Sequence, residues 1–243
     1  AIECSILKVT VSEDVQACAD EGIQIFGGMG FSEETPMEAA WRDSRISRIY
    51  EGTNEINKML SVGMLIKKAM KGHVDLLGPA TAVADELMGI PSFDTPDYSE
   101  LFAEEKEMIG KLKKVFLMVA GAAIQKFGTE LDQHQQLLMA AANILNEVYM
   151  AESTILRAEK NAKRFGEDTQ EGQIAMAKLY LYNAVEIVTQ NGKEGIISFA
   201  EGDEQRMMLM GLKRFTKYTN YPNVIALRNE IAEKLKAANK YCF

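Results

Sequence analysis

Long runs of Ala, Leu, Met, Glu, Lys and Gln, punctuated by glycine and nearly free of proline, leave this chain few options other than helices. These residues lose least conformational freedom on entering a helix, and only five prolines occur in 243 residues. Apolar positions recur at helical spacing over about 5–26, 37–46 and 56–65, and again over about 98–127, 133–165, 170–191, 204–218 and 222–240. Breaks are expected at Gly27-Gly28-Met29-Gly30, Gly52, Gly128, Gly166, Gly192-Gly195, Gly202 and Pro222, because glycine takes the positive φ of a helix stop and proline cannot continue a helix. The expected class is all-α: a helical bundle over 1–70, a linker over 71–99, and a second, antiparallel helical bundle over 100–243. The boundary is placed on the glycine, proline and aspartate content of 89–97, read as a mobile joint. Long helices with short connectors pack most simply as antiparallel neighbours, and an apolar content of 47% is enough for a sizeable core.

Charge and cysteine content exclude several functions. A net charge of −8 with no cluster of Lys and Arg argues against a nucleic-acid partner. Cys4, Cys18 and Cys242 form no CxxC pair and have no ligand spacing with His73 or His134, so no metal site and no disulfide framework is expected. A reducing compartment fits. No run approaches the roughly 18 apolar residues of a membrane span. The helical pattern is under way from Ile2, and we read the stretch as part of a longer chain.

Two short motifs carry candidate chemistry. In Gly27-Gly28-Met29-Gly30-Phe31 the missing Cβ atoms let backbone N–H groups approach an anion, although neither a Lys-Ser/Thr pair nor a preceding strand completes a phosphate fingerprint. A plain helix stop is the alternative. Glu51 lies between Tyr50 and Gly52 at the entrance of a helix that Thr53 or Asn54 can cap. It reads either as a base in a partly dry pocket or as a surface carboxylate favoured by the helix dipole. Arg42-Asp43 reads as a structural ion pair. The run Met207-Met208-Leu209-Met210 reads as bundle core, with an adaptable binding surface as the alternative.

Taken together, Gln24-Ile25-Phe26-Gly27-Gly28-Met29-Gly30-Phe31, Arg42-Asp43 and Ile49-Tyr50-Glu51-Gly52-Thr53-Asn54-Glu55-Ile56 resemble the signature that closes the acyl-CoA dehydrogenase fold. The likeness is dense over about 1–70. The helical remainder resembles in layout the extra carboxyl-terminal domain of the very-long-chain type. The resemblance implies an FAD-dependent dehydrogenase of β-oxidation, with Glu51 removing the α-proton of a fatty acyl-CoA. It implies flavin contacts from Gln24, Ile25, Phe26, Gly27 and Gly28 toward a neighbouring subunit, and from Thr53, Asn54 and Glu55 toward the subunit's own cofactor. Tyr50 would line the acyl channel and Gly52 would lie against the thioester. Electron-transfer flavoprotein as acceptor, a homodimer or homotetramer, and a bacterial cytoplasm or mitochondrial matrix are also implied. The family's amino-terminal and middle domains are not in this stretch, which alone is expected to be inactive. A different expectation for residues 100–243 is a non-catalytic interaction or membrane-surface module.

Overall fold

The computed structural model describes residues 1–89 and 97–243, and all regular structure among them is helical. The chain divides into two compact units, Ala1–Val74 with Asp132–Ala142, and Asp75–Leu131 with Asn143–Phe243.

In the first unit the helices are α1 (Ile2–Phe26), α2 (Gly28–Phe31), α3 (Pro36–Ile46) and α4 (Asn54–Met70). Pro36 opens α3, where a missing N–H costs nothing. Gly27 ends α1 at φ 61°. The loop expected next is a single helical turn folded back on α1: a Cβ on Gly30 would lie 2.6 Å from the Ile23 carbonyl oxygen, so only glycine fits.

Helix α1 packs against α3 and α4. The buried set here is small and partly polar: Ser5, Ile6, Val9, Ser12 and Ala19 of α1, Ser44 of α3, and Asn54, Asn57, Ser61 and Val62 of α4. Leu7, Val11 and Val15 of α1, by contrast, are exposed, as are Ile46 and Tyr50. Val11, Val15 and Tyr50 border one cavity, so part of this exposed apolar surface is continuous.

The second unit holds α5 (Leu77–Met88), α6 (Ala103–Phe127), the body of α7 (Gln135–Phe165) from Asn143, α8 (Glu167–Phe199), α9 (Gly202–Phe215) and α10 (Val224–Ala238). Leu112, Val115, Val119, Ile144, Ile155, Leu181, Val188 and Ile196 form a dry core. Lys106 pairs with Glu159 and Lys113 with Glu152, so α6 and α7 run antiparallel. The side-chain bonds Asn143 to Asn191 and Asn161 to Gln173 give α7 and α8 the same relation. Exposed Leu156, Phe165, Ile197, Met210 and Ile225 are spread over four helices. Among the described residues no helix is long and apolar enough to cross a membrane.

Three expectations change here. Gly192 and Gly195 do not break α8, which continues to Phe199. A Cβ on Gly192 would stand 2.8 Å from Leu212 Cδ1 and 3.1 Å from Val115 Cγ1, so that glycine admits close neighbours within the helix. The stretch 71–99 read as linker contains α5, which packs on α6 and α9. Part of that contact is through small residues, since a Cβ on Gly121 would be 2.7 Å from that of Ala80. Of the proposed joint, residues 90–96 lie outside the described residues. In the methionine run Met208 is buried while Met210 is 73% exposed, so only one face of α9 is core.

Candidate active site

Two consecutive left-handed residues shape the approach to α4. Gly52 has φ 78° and Glu51 has φ 58°. For a residue with a Cβ that conformation costs about 1–3 kcal/mol and persists only where neighbours over-determine it.

The neighbours here are specific. Asn57, one turn into α4, donates from Nδ2 to the carbonyl oxygens of Glu51, Gly52 and Thr53 at 3.4, 2.8 and 3.2 Å. Lys8 of α1 donates from Nζ to the Gly52 carbonyl at 2.8 Å and to Asn54 Oδ1 at 2.7 Å. Asn54 Nδ2 donates to Ser12 Oγ at 3.0 Å and to Glu13 Oε1 at 3.2 Å. Glu13 also pairs with Lys58 at 3.2 Å.

Glu51 does not cap α4. Thr53 does, its hydroxyl accepting from the Ile56 N–H at 3.3 Å. Glu55 is the first-turn carboxylate, and its own backbone N–H, then the Thr53 hydroxyl, hold it below the usual carboxylate range. Among the described residues the Glu51 side chain makes no hydrogen bond or ion pair. It is exposed at the rim of a cavity of about 480 Å³, walled by Val11, Val15, Ala40 and Tyr50 with Lys8 and Asp43. The dry pocket expected around Glu51 is therefore not completed by these residues alone.

Gln24, Ile25, Phe26, Gly27 and Gly28 lie together and exposed where α1 passes into α2. Thr53 and Glu55 stand at the start of α4. Asn54 is 1% exposed, and its side-chain amide bonds with Lys8, Ser12 and Glu13. Arg42 pairs with Glu38 at 3.4 Å, whereas Asp43 borders the cavity. Among the described residues no group of His, Cys, Asp and Glu could hold a metal ion. Sequence reasoning missed Lys8, Ser12 and Asn57. The available signal was a charged residue falling on the stripe of α1 that buries Ser5, Val9 and Ser12.

An all-helical protein with an unpaired carboxylate on a strained turn is the class that fold and site define. Two family models, each described as “Acyl-CoA dehydrogenase, C-terminal domain”, match residues 1–64 and 111–214. Over these two stretches the chain matches the acyl-CoA dehydrogenase C-terminal domain family. A probable acyl-CoA dehydrogenase of Bacillus subtilis (strain 168) is 39% identical over 241 residues, 99% of this chain and 40% of that protein. The crystal structure of an acyl-CoA dehydrogenase complexed with FAD from Bacillus anthracis matches with a TM-score of 0.92 at 39% identity, over 100% of this chain and 40% of that one. The bovine mitochondrial short-chain specific acyl-CoA dehydrogenase is 43% identical over 65 residues, 27% of this chain and 16% of that protein. The chain thus spans about 40% of the length of its two Bacillus relatives.

Proposed function

We propose that this chain is the carboxyl-terminal helical part of an FAD-dependent acyl-CoA dehydrogenase acting in β-oxidation, with Glu51 as the base that takes the α-proton of a fatty acyl-CoA thioester. The observation that carries the reading is the Glu51 turn: a carboxylate held at φ 58°, relieved of capping by Thr53 and Glu55, and open on a cavity. A base must keep a lone pair free for the proton it removes and must be held in line with it. Tyr50 and Gly52 flank Glu51, offering an apolar wall for the acyl chain and a close main-chain approach for the thioester.

The exposed residues also fit a dinucleotide. Nothing lies within 4 Å of where a Cβ on Gly27 or Gly28 would stand, so the backbone there is open to an incoming group. Gln24, Ile25, Phe26, Gly27 and Gly28 would hold FAD on one side, and Thr53 and Glu55 on the other, with Asn54 bracing the turn from within. FAD, when bound, supplies the acceptor for the hydride leaving the β-carbon as the α,β-double bond forms. Electron-transfer flavoprotein as onward acceptor, and a homodimer or homotetramer in which Gln24–Gly28 reaches a neighbouring subunit, complete the proposal. The very-long-chain type is not carried forward, because the Bacillus anthracis structure that matches the whole chain is named an acyl-CoA dehydrogenase without an acyl length.

The test uses the full-length enzyme. Glu51→Gln should retain the fold and bound flavin and lose about a hundredfold to ten-thousandfold in the single-turnover rate of flavin bleaching by acyl-CoA. Bleaching at a near-native rate would place the base elsewhere.

A further inference from the structure

We propose that Lys8 is a positioning residue for Glu51: its ammonium ties the left-handed Glu51-Gly52 turn to α1 and thereby fixes where the base stands. The inference rests on the reading of Glu51 as the base.

Two side chains bond to the carbonyls of the turn, and they differ in kind. Asn57 grips all three carbonyls, but it belongs to α4 and travels with the turn. Lys8 comes from another helix, 44 residues away in sequence from the carbonyl it meets. Its bond at 2.8 Å to the Gly52 oxygen connects the turn to the wall that carries Val11 and Val15. A charged donor makes this bond about twice as strong as a neutral one. The ammonium is itself located by Asn54 Oδ1 at 2.7 Å, and Asn54 is 1% exposed and anchored to Ser12 and Glu13. The chain of contacts therefore runs Glu13 and Ser12, Asn54, Lys8, Gly52, so α1 enters it twice, through Ser12 and Glu13 and again through Lys8. Without the ammonium, Asn57 still caps the carbonyls, so the turn persists while its placement against α1 loosens. A misplacement of about 1 Å at a reacting group costs on the order of a hundredfold in rate.

The experiment compares full-length, flavin-loaded enzyme with Lys8→Met, Lys8→Arg, Lys8→Gln and Glu51→Gln, using butanoyl-CoA and palmitoyl-CoA as probes. Lys8→Met should lower the limiting rate of flavin bleaching about ten- to a hundredfold while acyl-CoA affinity and flavin content change less than about twofold. Hydrogen exchange of the peptide covering residues 50–57 should quicken in Lys8→Met without substrate, and Lys8→Arg should recover part of the rate. If Lys8→Met does not fold, Lys8→Gln, too short to reach both acceptors, should be slower than Lys8→Arg. Equal rates for those two would overturn the proposal. So would an unchanged limiting rate in Lys8→Met, or a loss that follows flavin content alone. Glu51→Gln separates the two levels: if it bleaches normally the base reading itself fails, whereas a dead Glu51→Gln beside a normal Lys8→Met removes only the positioning part for Lys8.

Discussion

Replacing Glu51 by glycine should leave the first unit more stable than replacing it by alanine, the reverse of the usual order for these two residues. Both substitutions delete the carboxylate, so their difference isolates the cost of a Cβ at φ 58°. For an L-residue that cost is about 1–2 kcal/mol, and the extra freedom of glycine in the unfolded chain returns about 0.5–1 kcal/mol. The net is about 0.5–1 kcal/mol in favour of Glu51→Gly. Trp41, the one tryptophan of the chain, is the probe. Its indole N–H donates to Asp20 Oδ1 at 3.0 Å and joins α3 to α1 within the same unit. With a urea slope of about 2 kcal/mol/M, the fluorescence midpoint of Glu51→Gly should lie about 0.3–0.5 M above that of Glu51→Ala. The same pair at Glu21, exposed in the body of α1, is the control and should show alanine ahead by about 1 kcal/mol. An alanine midpoint at or above the glycine one at position 51 would refute the strain argument. On the proposed role of Glu51, full-length enzyme carrying either substitution should also lose turnover.

Two further predictions concern the second unit. Tyr218 is buried, lies 6.3 Å from the Tyr182 ring, and its hydroxyl has no partner among the described residues. Burial, reinforced by Glu105 and Glu104, pushes its ionisation well above the ordinary range. Tyr218→Phe should therefore be neutral or stabilising by up to about 1 kcal/mol, seen as a melting temperature raised by about 2–4 °C. A clear loss of stability would reveal a hydrogen bond at that hydroxyl. Glu159 accepts from Lys106 and Lys163, both at 2.7 Å, and these bonds hold its carboxyl below the ordinary 4.5. A depressed carboxyl contributes stability that is present above its unfolded value and lost as pH falls through the folded one. The melting temperature of Glu159→Gln should thus lie below that of the unmodified protein above pH 4.5, and the gap should close on further acidification. A gap that stays constant through the acid range would show that the carboxyl is not the titrating group.

The long helices were legible because their ends are marked locally. Gly128 at φ 51° and Gly166 at φ 91° close α6 and α7, and Gly202 at φ 57° opens α9, each a conformation that glycine adopts without strain. Gly192 carries the same letter and does the opposite work. What decides its role is Leu212 and Val115, neighbours that only the folded packing supplies. Helix α5 escaped for the complementary reason: it is short and opens on Gly78 and Pro79, residues that read as chain breaks although proline is tolerated in the first turn of a helix.

The site divides along the same line. Glu51, Gly52 and Thr53 are adjacent, so a resemblance over a few residues brings them forward together. Their restraint is not adjacent, for Lys8 and Asn54 are 46 residues apart and meet only because α1 packs on α4. That interface buries Ser5, Ser12, Asn54, Asn57 and Ser61 beside only a few apolar side chains, so directional bonds set its register more than area does. Apolar contact tolerates sliding, whereas an amide that must meet an ammonium, a hydroxyl and a carboxylate at once does not. A polar seam in a helical pair is an expensive way to gain stability and an effective way to fix position. It lies directly beneath the turn that carries Glu51, the one residue of the first unit whose backbone is both left-handed and burdened with a Cβ.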